Sequence, residues 1–152
     1  MMAPLANCPD LQELALSKNQ LTVLDLAPLA SCPQLERLEL WENRLAALDL
    51  APLAHCPDLQ ELALSENQLT VLDLAPLAHC SSLRKLDLRA NPFVSLDLSP
   101  LAALDKLYDL VVDDSVPVGW RRFALPLEEL PQGLGRLLAL WQLYAEYEEP
   151  QQ

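Results

Sequence analysis

At 152 residues the chain suffices for one domain of ordinary size, and 51% of it is hydrophobic. Aromatic residues make up only 5%, so aliphatic side chains have to fill the interior. A formal net charge of −12 repels phosphate backbones and anionic lipid, which sets nucleic acid and membrane aside as partners.

The N-terminal stretch MMAPLANCPD has neither a basic flank nor an apolar core, so it does not read as a signal peptide. No apolar run approaches the ~18 residues of a membrane span. The expectation is therefore a cytoplasmic protein.

From Ala3 onward one interval governs the chain. Cys8, Cys32, Cys56 and Cys80 are each 24 residues apart. The same step relates Pro4, Pro28, Pro52, Pro76 and Pro100, then Asn19, Asn43, Asn67 and Asn91, then Asp25, Asp49, Asp73 and Asp97. Residues 3–26 and 51–74 differ only at Asn7/His55 and Lys18/Glu66, as a two-repeat duplication or a copied module would leave them. Within each unit LQELALSKNQL recurs as LERLELWENRL, LQELALSENQL and LRKLDLRANPF, with a degenerate fifth copy, LYDLVVDDS, from Leu107. There Ser115 stands where asparagine is expected.

Alternation in these segments predicts a short strand with Leu14 and Leu16 inward and Glu13, Ala15 and Ser17 outward. The following leg sends Leu24, Leu26 and Leu29 inward and Asp25 outward. Pro28, with no N–H to lose, suits the start of a short helical turn, and Ser99 before Pro100 offers the better-capped version. About eight buried apolar side chains per unit, at roughly 1.5–3 kcal/mol each, barely offset backbone ordering. One unit alone does not fold, so stacking is obligatory.

The pattern L-x-x-L-x-L-x-x-N-x-L over residues 3–118 resembles the leucine-rich repeats, and TVLDLAPLAxCP resembles variants in bacterial and archaeal members. The resemblance implies an α/β right-handed solenoid, a short horseshoe with one parallel sheet on its concave face. It also implies asparagine side chains that bond backbone groups of neighbouring turns. The domain division expected is a solenoid over residues 1–118, four full repeats and the degenerate fifth, and a C-terminal cap over 119–152. VPVGWRRFALP reads as a loop or irregular closure. Beyond it Leu134, Leu137, Leu138, Trp141, Tyr144 and Tyr147 share one helical face, as a capping helix over the last repeat requires, with Trp120 and Phe123 filling the junction. No comparable cap precedes Leu5, Leu11, Leu14 and Leu16.

No constellation in the chain has the parts of a catalytic, metal or cofactor site. The cysteines occupy positions where the resemblance implies buried apolar residues, lack any C-x-x-C pairing, and argue for a reducing compartment. His55 and His79 read as solvated convex-side residues, without a nucleophile or an orienting carboxylate beside them. The aspartate column lacks the glycine turns of a calcium loop and reads as local turn capping. An enzyme is not expected.

The outward strand positions carry the functional expectation. Glu13, Arg37, Glu61, Lys85 and Asp109 alternate in sign along one column, as a self-satisfied charge ladder does. The neighbouring columns read Ala15, Glu39, Ala63, Asp87, Val111 and Ser17, Trp41, Ser65, Arg89, Asp113. Small neighbours leave Trp41 open as an interface anchor, unless its ring lies flat against Arg89 or Arg37. The resemblance thus implies a non-catalytic protein-interaction module that holds an unidentified protein on its concave face with Trp41, Glu39, Arg37, Asp87, Arg89, Lys85 and Glu61. The alternative is a structural or assembly scaffold, a designed or consensus-like solenoid or a homodimer through the uncapped N-terminal edge.

Overall fold

The computed structural model describes residues 3–113, 116, 118 and 119. Ser115, Trp120, Phe123 and the capping helix expected within 119–152 lie outside the described residues.

Each unit contributes one three-residue strand: β1 (Glu13–Ala15), β2 (Arg37–Glu39), β3 (Glu61–Ala63) and β4 (Lys85–Asp87). After a two-residue strand β5 (Leu96–Asp97), the fifth unit supplies β6 (Asp109–Val111). Strands β1, β2, β3, β4 and β6 form one parallel sheet in that order. Its register is the 24-residue repeat itself, so Leu14, Leu38, Leu62, Leu86 and Leu110 lie side by side. The result is a leucine-rich-repeat solenoid.

Opposite the sheet run five 3₁₀ turns, Ala3–Asn7, Ala27–Ser31, Ala51–His55, Ala75–His79 and Ser99–Ala103. A proline in the first two positions of each of the last four fixes φ and surrenders no hydrogen bond. The turns close i to i+3, as where the Leu29 N–H donates to the Leu26 carbonyl at 2.8 Å and Cys32 N–H to Leu29 at 3.0 Å. The aspartate column caps them. Asp25, Asp49 and Asp73 accept from the N–H groups of Ala27, Ala51 and Ala75 at 2.9, 2.9 and 3.0 Å. Ser99 corrects one expectation: it lies inside its turn, and both its N–H and its hydroxyl donate to Asp97. Capping there belongs to the carboxylate, as in the other coils.

Between sheet and turns lies a continuous leucine core, with Leu38, Leu40, Leu59, Leu64 and Leu83 fully buried. The asparagines stitch its edge, as the resemblance implied. Asn43 Nδ2 donates to Leu16 O and Leu40 O, both at 3.0 Å, while its Oδ1 accepts from the N–H groups of Asn19 and Leu21 at 3.0 Å. Asn67 and Asn91 repeat the arrangement one and two coils on. Just before each asparagine the chain leaves the strand through a left-handed residue, Lys18, Glu42, Glu66 or Ala90, with φ between 55° and 62°. None is glycine, so each coil stores roughly 1–2 kcal/mol of backbone strain that the asparagine bonds hold in place.

A second, two-stranded parallel sheet pairs β5 with β7 (Val118–Gly119). Val118 and Gly119, expected within an irregular closure, thus lie as a parallel strand beside the fourth coil's return leg.

Candidate functional site

Parallel register sets the outward columns side by side, 24 residues apart. In the first, Arg37 lies between Glu13 at 3.7 Å and Glu61 at 3.0 Å, and Lys85 reaches Glu61 at 4.0 Å. The ladder expected from the alternating signs exists over these four residues. Asp109 pairs with Lys85 in register, but no described ion pair joins them. Half-exposed pairs of this kind contribute under about 1 kcal/mol each, so their effect is to satisfy charge and set side-chain direction.

In the other two columns, Arg89 forks onto Asp87 within its own coil, Nε to Oδ1 at 3.0 Å and Nη2 to Oδ2 at 2.8 Å. That carboxylate raises the Arg89 pKa further above its ordinary value. Ser65, between Trp41 and Arg89 in the column, is buried. Trp41 is half-buried, neither fully open nor stacked on the arginines suggested for it. Lys18 supplies the cation instead, with Nζ 5.1 Å from the ring centroid and 3.8 Å from a Glu42 carboxylate oxygen. Sequence reasoning missed Lys18 and Glu42 because both follow their strands. Their left-handed φ returns them beside the outward columns, and only alternation inside the strand had been read. Glu39, half-buried two residues from Trp41, takes part in none of the described ion pairs.

The columns away from the sheet serve the fold. Cys32, Cys56 and Cys80 are buried free thiols whose Sγ atoms donate to the carbonyls of Leu5, Leu29 and Leu53, one coil back, at 3.3, 3.3 and 3.2 Å, while Cys8 is exposed. Burial, reinforced by the preceding cysteine of the ladder, pushes the Cys56 thiol up to about 11 and Cys80 to about 12 from an ordinary 9.0. The folded state therefore keeps protons that the unfolded chain releases near pH 9, and stability falls as pH rises from there towards the folded values. The slope reaches at most about 1.4 kcal/mol per pH unit per thiol. Urea unfolding between about pH 8 and pH 10.5 is expected to show this decline, and Cys56→Ala with Cys80→Ala to flatten it. Equal slopes in both proteins contradict it. His55 and His79 are exposed at the ends of their turns. Among the described residues no three His, Cys, Asp or Glu side chains gather as a metal site would need.

Coils held in register by an asparagine ladder, with one strand of each aligned in a single parallel sheet, define a repeat protein. A family model described as leucine rich repeat matches residues 33–93, and one described as two-copy leucine rich repeats matches 9–55. The chain belongs to the leucine-rich-repeat family. Among solved structures it is similar to internalin C2 from Listeria monocytogenes, with 34% identity and a TM-score of 0.61 over 73% of this chain and 46% of that one. An internalin designated InlF from the same organism gives 27% identity and a TM-score of 0.65 over 87% and 36%. A leucine-rich-repeat protein of Leptospira interrogans gives 30% and 0.61 over 74% and 27%. The chain thus spans less than half the length of each. No curated protein matches the sequence. Proteins of this family act in general through protein–protein contacts.

Proposed function

We propose that the chain is a non-catalytic interaction module that seats a protein partner on the outward face of its five-stranded sheet, with Trp41 and Glu39 at the centre. The observation that carries this reading is the half-exposed Trp41 ring, with Lys18 over it and with Glu39, two residues away, in none of the described ion pairs. Tryptophan loses little side-chain freedom on contact and offers a large apolar face, which makes it a frequent anchor of binding energy. Arg37, Glu61 and Lys85 are already paired with one another, and Asp87 with Arg89. They contribute orientation and charge complementarity at the rim more than raw affinity. Buried reduced thiols support a reducing compartment, in the simplest case the cytoplasm.

A second reading, assembly through the N-terminal edge, is favoured by one observation. Leu5, Leu11, Leu14 and Leu16 are only half-buried, whereas their equivalents in the second, third and fourth coils are enclosed. Co-purification from the source cell separates the two readings. A foreign protein recovered in stoichiometric amount supports partner binding over assembly, and self-association alone supports assembly. Titrated against such a partner, Trp41→Ala is expected to weaken binding by about 2 kcal/mol or more while the unfolding midpoint moves little. Unchanged affinity removes the tryptophan from the interface.

A further inference from the structure

The exposed large apolar residues are not spread over the described surface. Three of the four, Val23, Val71 and Val94 at 82%, 61% and 66% exposure, stand on the return leg between asparagine ladder and 3₁₀ turns, away from the sheet face. Val23 and Val71 belong to one repeat column, with Ala47 between them and Ser95 after them. Ala47, Val71 and Ser95 of that column edge a shallow groove of about 610 Å³ that runs across the coils. Its floor is formed by Leu24, Leu48 and Leu72, and its other wall by Asp49, Asp73 and Asp97. Each of these carboxylates uses Oδ1 to cap its own turn, and none takes part in a described ion pair. The groove is therefore an apolar trough with a row of half-used negative charges along one wall.

We propose that this lateral groove docks a basic amphipathic α-helix of a partner protein, lying across the coils with roughly one helical turn per coil. Charge selects the partner: a second copy would bring another aspartate row and a net charge of −12 against this one. Spacing selects the conformation. Adjacent coils are about 4.8 Å apart and one helical turn advances about 5.4 Å, so register drifts by only about 1.2 Å from Asp49 to Asp97. An extended strand repeats its face every ~6.8 Å and would drift by about 4 Å over the same two steps. Lysines or arginines three to four residues apart then meet successive aspartates, and the adjoining leucine stripe covers Leu48, Val71 and Leu72. This surface is distinct from the sheet face, and either can be correct without the other.

The test uses the full chain and a synthetic helical peptide of about 16 residues built from leucine, alanine and lysine, with its lysines along one side of the leucine stripe. A control peptide carries glutamate in place of lysine. Amide chemical shifts of Val71, Leu72, Asp73 and Ser95 are expected to move saturably with the lysine peptide and not with the glutamate peptide. Combining Asp49→Asn, Asp73→Asn and Asp97→Asn keeps an acceptor for each turn N–H while removing charge. It is expected to weaken binding about tenfold, the combined effect of three partly exposed charge contacts, with an unchanged unfolding midpoint. Groove resonances that stay still up to about 1 mM peptide overturn the proposal, whether a second copy, the chain's own tail or nothing covers the groove. So do shifts confined to the sheet face around Trp41, and equal binding of the glutamate peptide or by the triple variant.

Discussion

Asn67→Ala is expected to remove about 3 kcal/mol of folding stability, a large share of the 5–15 kcal/mol typical of a domain. The amide of Asn67 donates to the carbonyls of Leu40, Leu64 and Ser65 at 2.9, 3.1 and 3.3 Å, and its oxygen accepts from Leu45 N–H at 3.1 Å. The carbonyls are not abandoned when it is lost, because Leu40 still receives Asn43, Leu64 receives Asn91, and Ser65 receives Glu42 N–H. The Leu45 N–H has no such second partner among the described residues, and an orphaned buried donor costs about 1–3 kcal/mol. The cavity left by the amide adds the rest. Asn19→Ala provides the comparison. Asn19 is exposed and its side chain donates only within its own coil, to Leu16 and Ser17, so about 1 kcal/mol or less is expected. Urea denaturation of both variants checks the pair, and equal losses would show that the asparagines act singly instead of as a ladder.

The second large effect concerns the leucines. Leu62→Ala, at a position 1% exposed in the middle strand, is expected to cost about 3–5 kcal/mol through lost burial and a cavity that two flanking coils cannot close. Leu14→Ala makes the same chemical change at the edge strand, where the side chain is already half-exposed, and is expected to cost under about 2 kcal/mol. The ratio carries the meaning. In a stack where each coil touches only its neighbours, an interior leucine loses two interfaces and an edge leucine one.

Much of this fold was legible because a single interval controls everything that packs. Once Leu14, Leu38, Leu62 and Leu86 were placed 24 residues apart, the pairing register followed; the turn-capping aspartates came from their residue type beside the turn and the asparagine ladder from the family resemblance, and the structure has them all. Features set by backbone geometry between the periodic positions were not legible. The left-handed turn that carries Lys18 over Trp41 has no glycine to announce it. The β5–β7 pairing joins Leu96–Asp97 to a segment whose prolines spoke for a loop. Ser99 looked like a cap because of the proline after it, yet Asp97 was nearer the N–H that needed an acceptor. The outward charge ladder could be read from sign alternation, whereas the lateral groove could not. Its valines alternate with threonine and alanine in an ordinary extended leg, and only solvent exposure marks them as unpartnered.

The account depends most on the coils being nested side by side at that interval. Backbone NOE spectroscopy on selectively labelled leucines addresses this directly. Cross-strand contacts are predicted from Leu38 to both Leu14 and Leu62, and from Leu62 to Leu86, as parallel neighbours require. Contacts confined to residues three and four apart, the signature of helices with no strand beside strand, would contradict it.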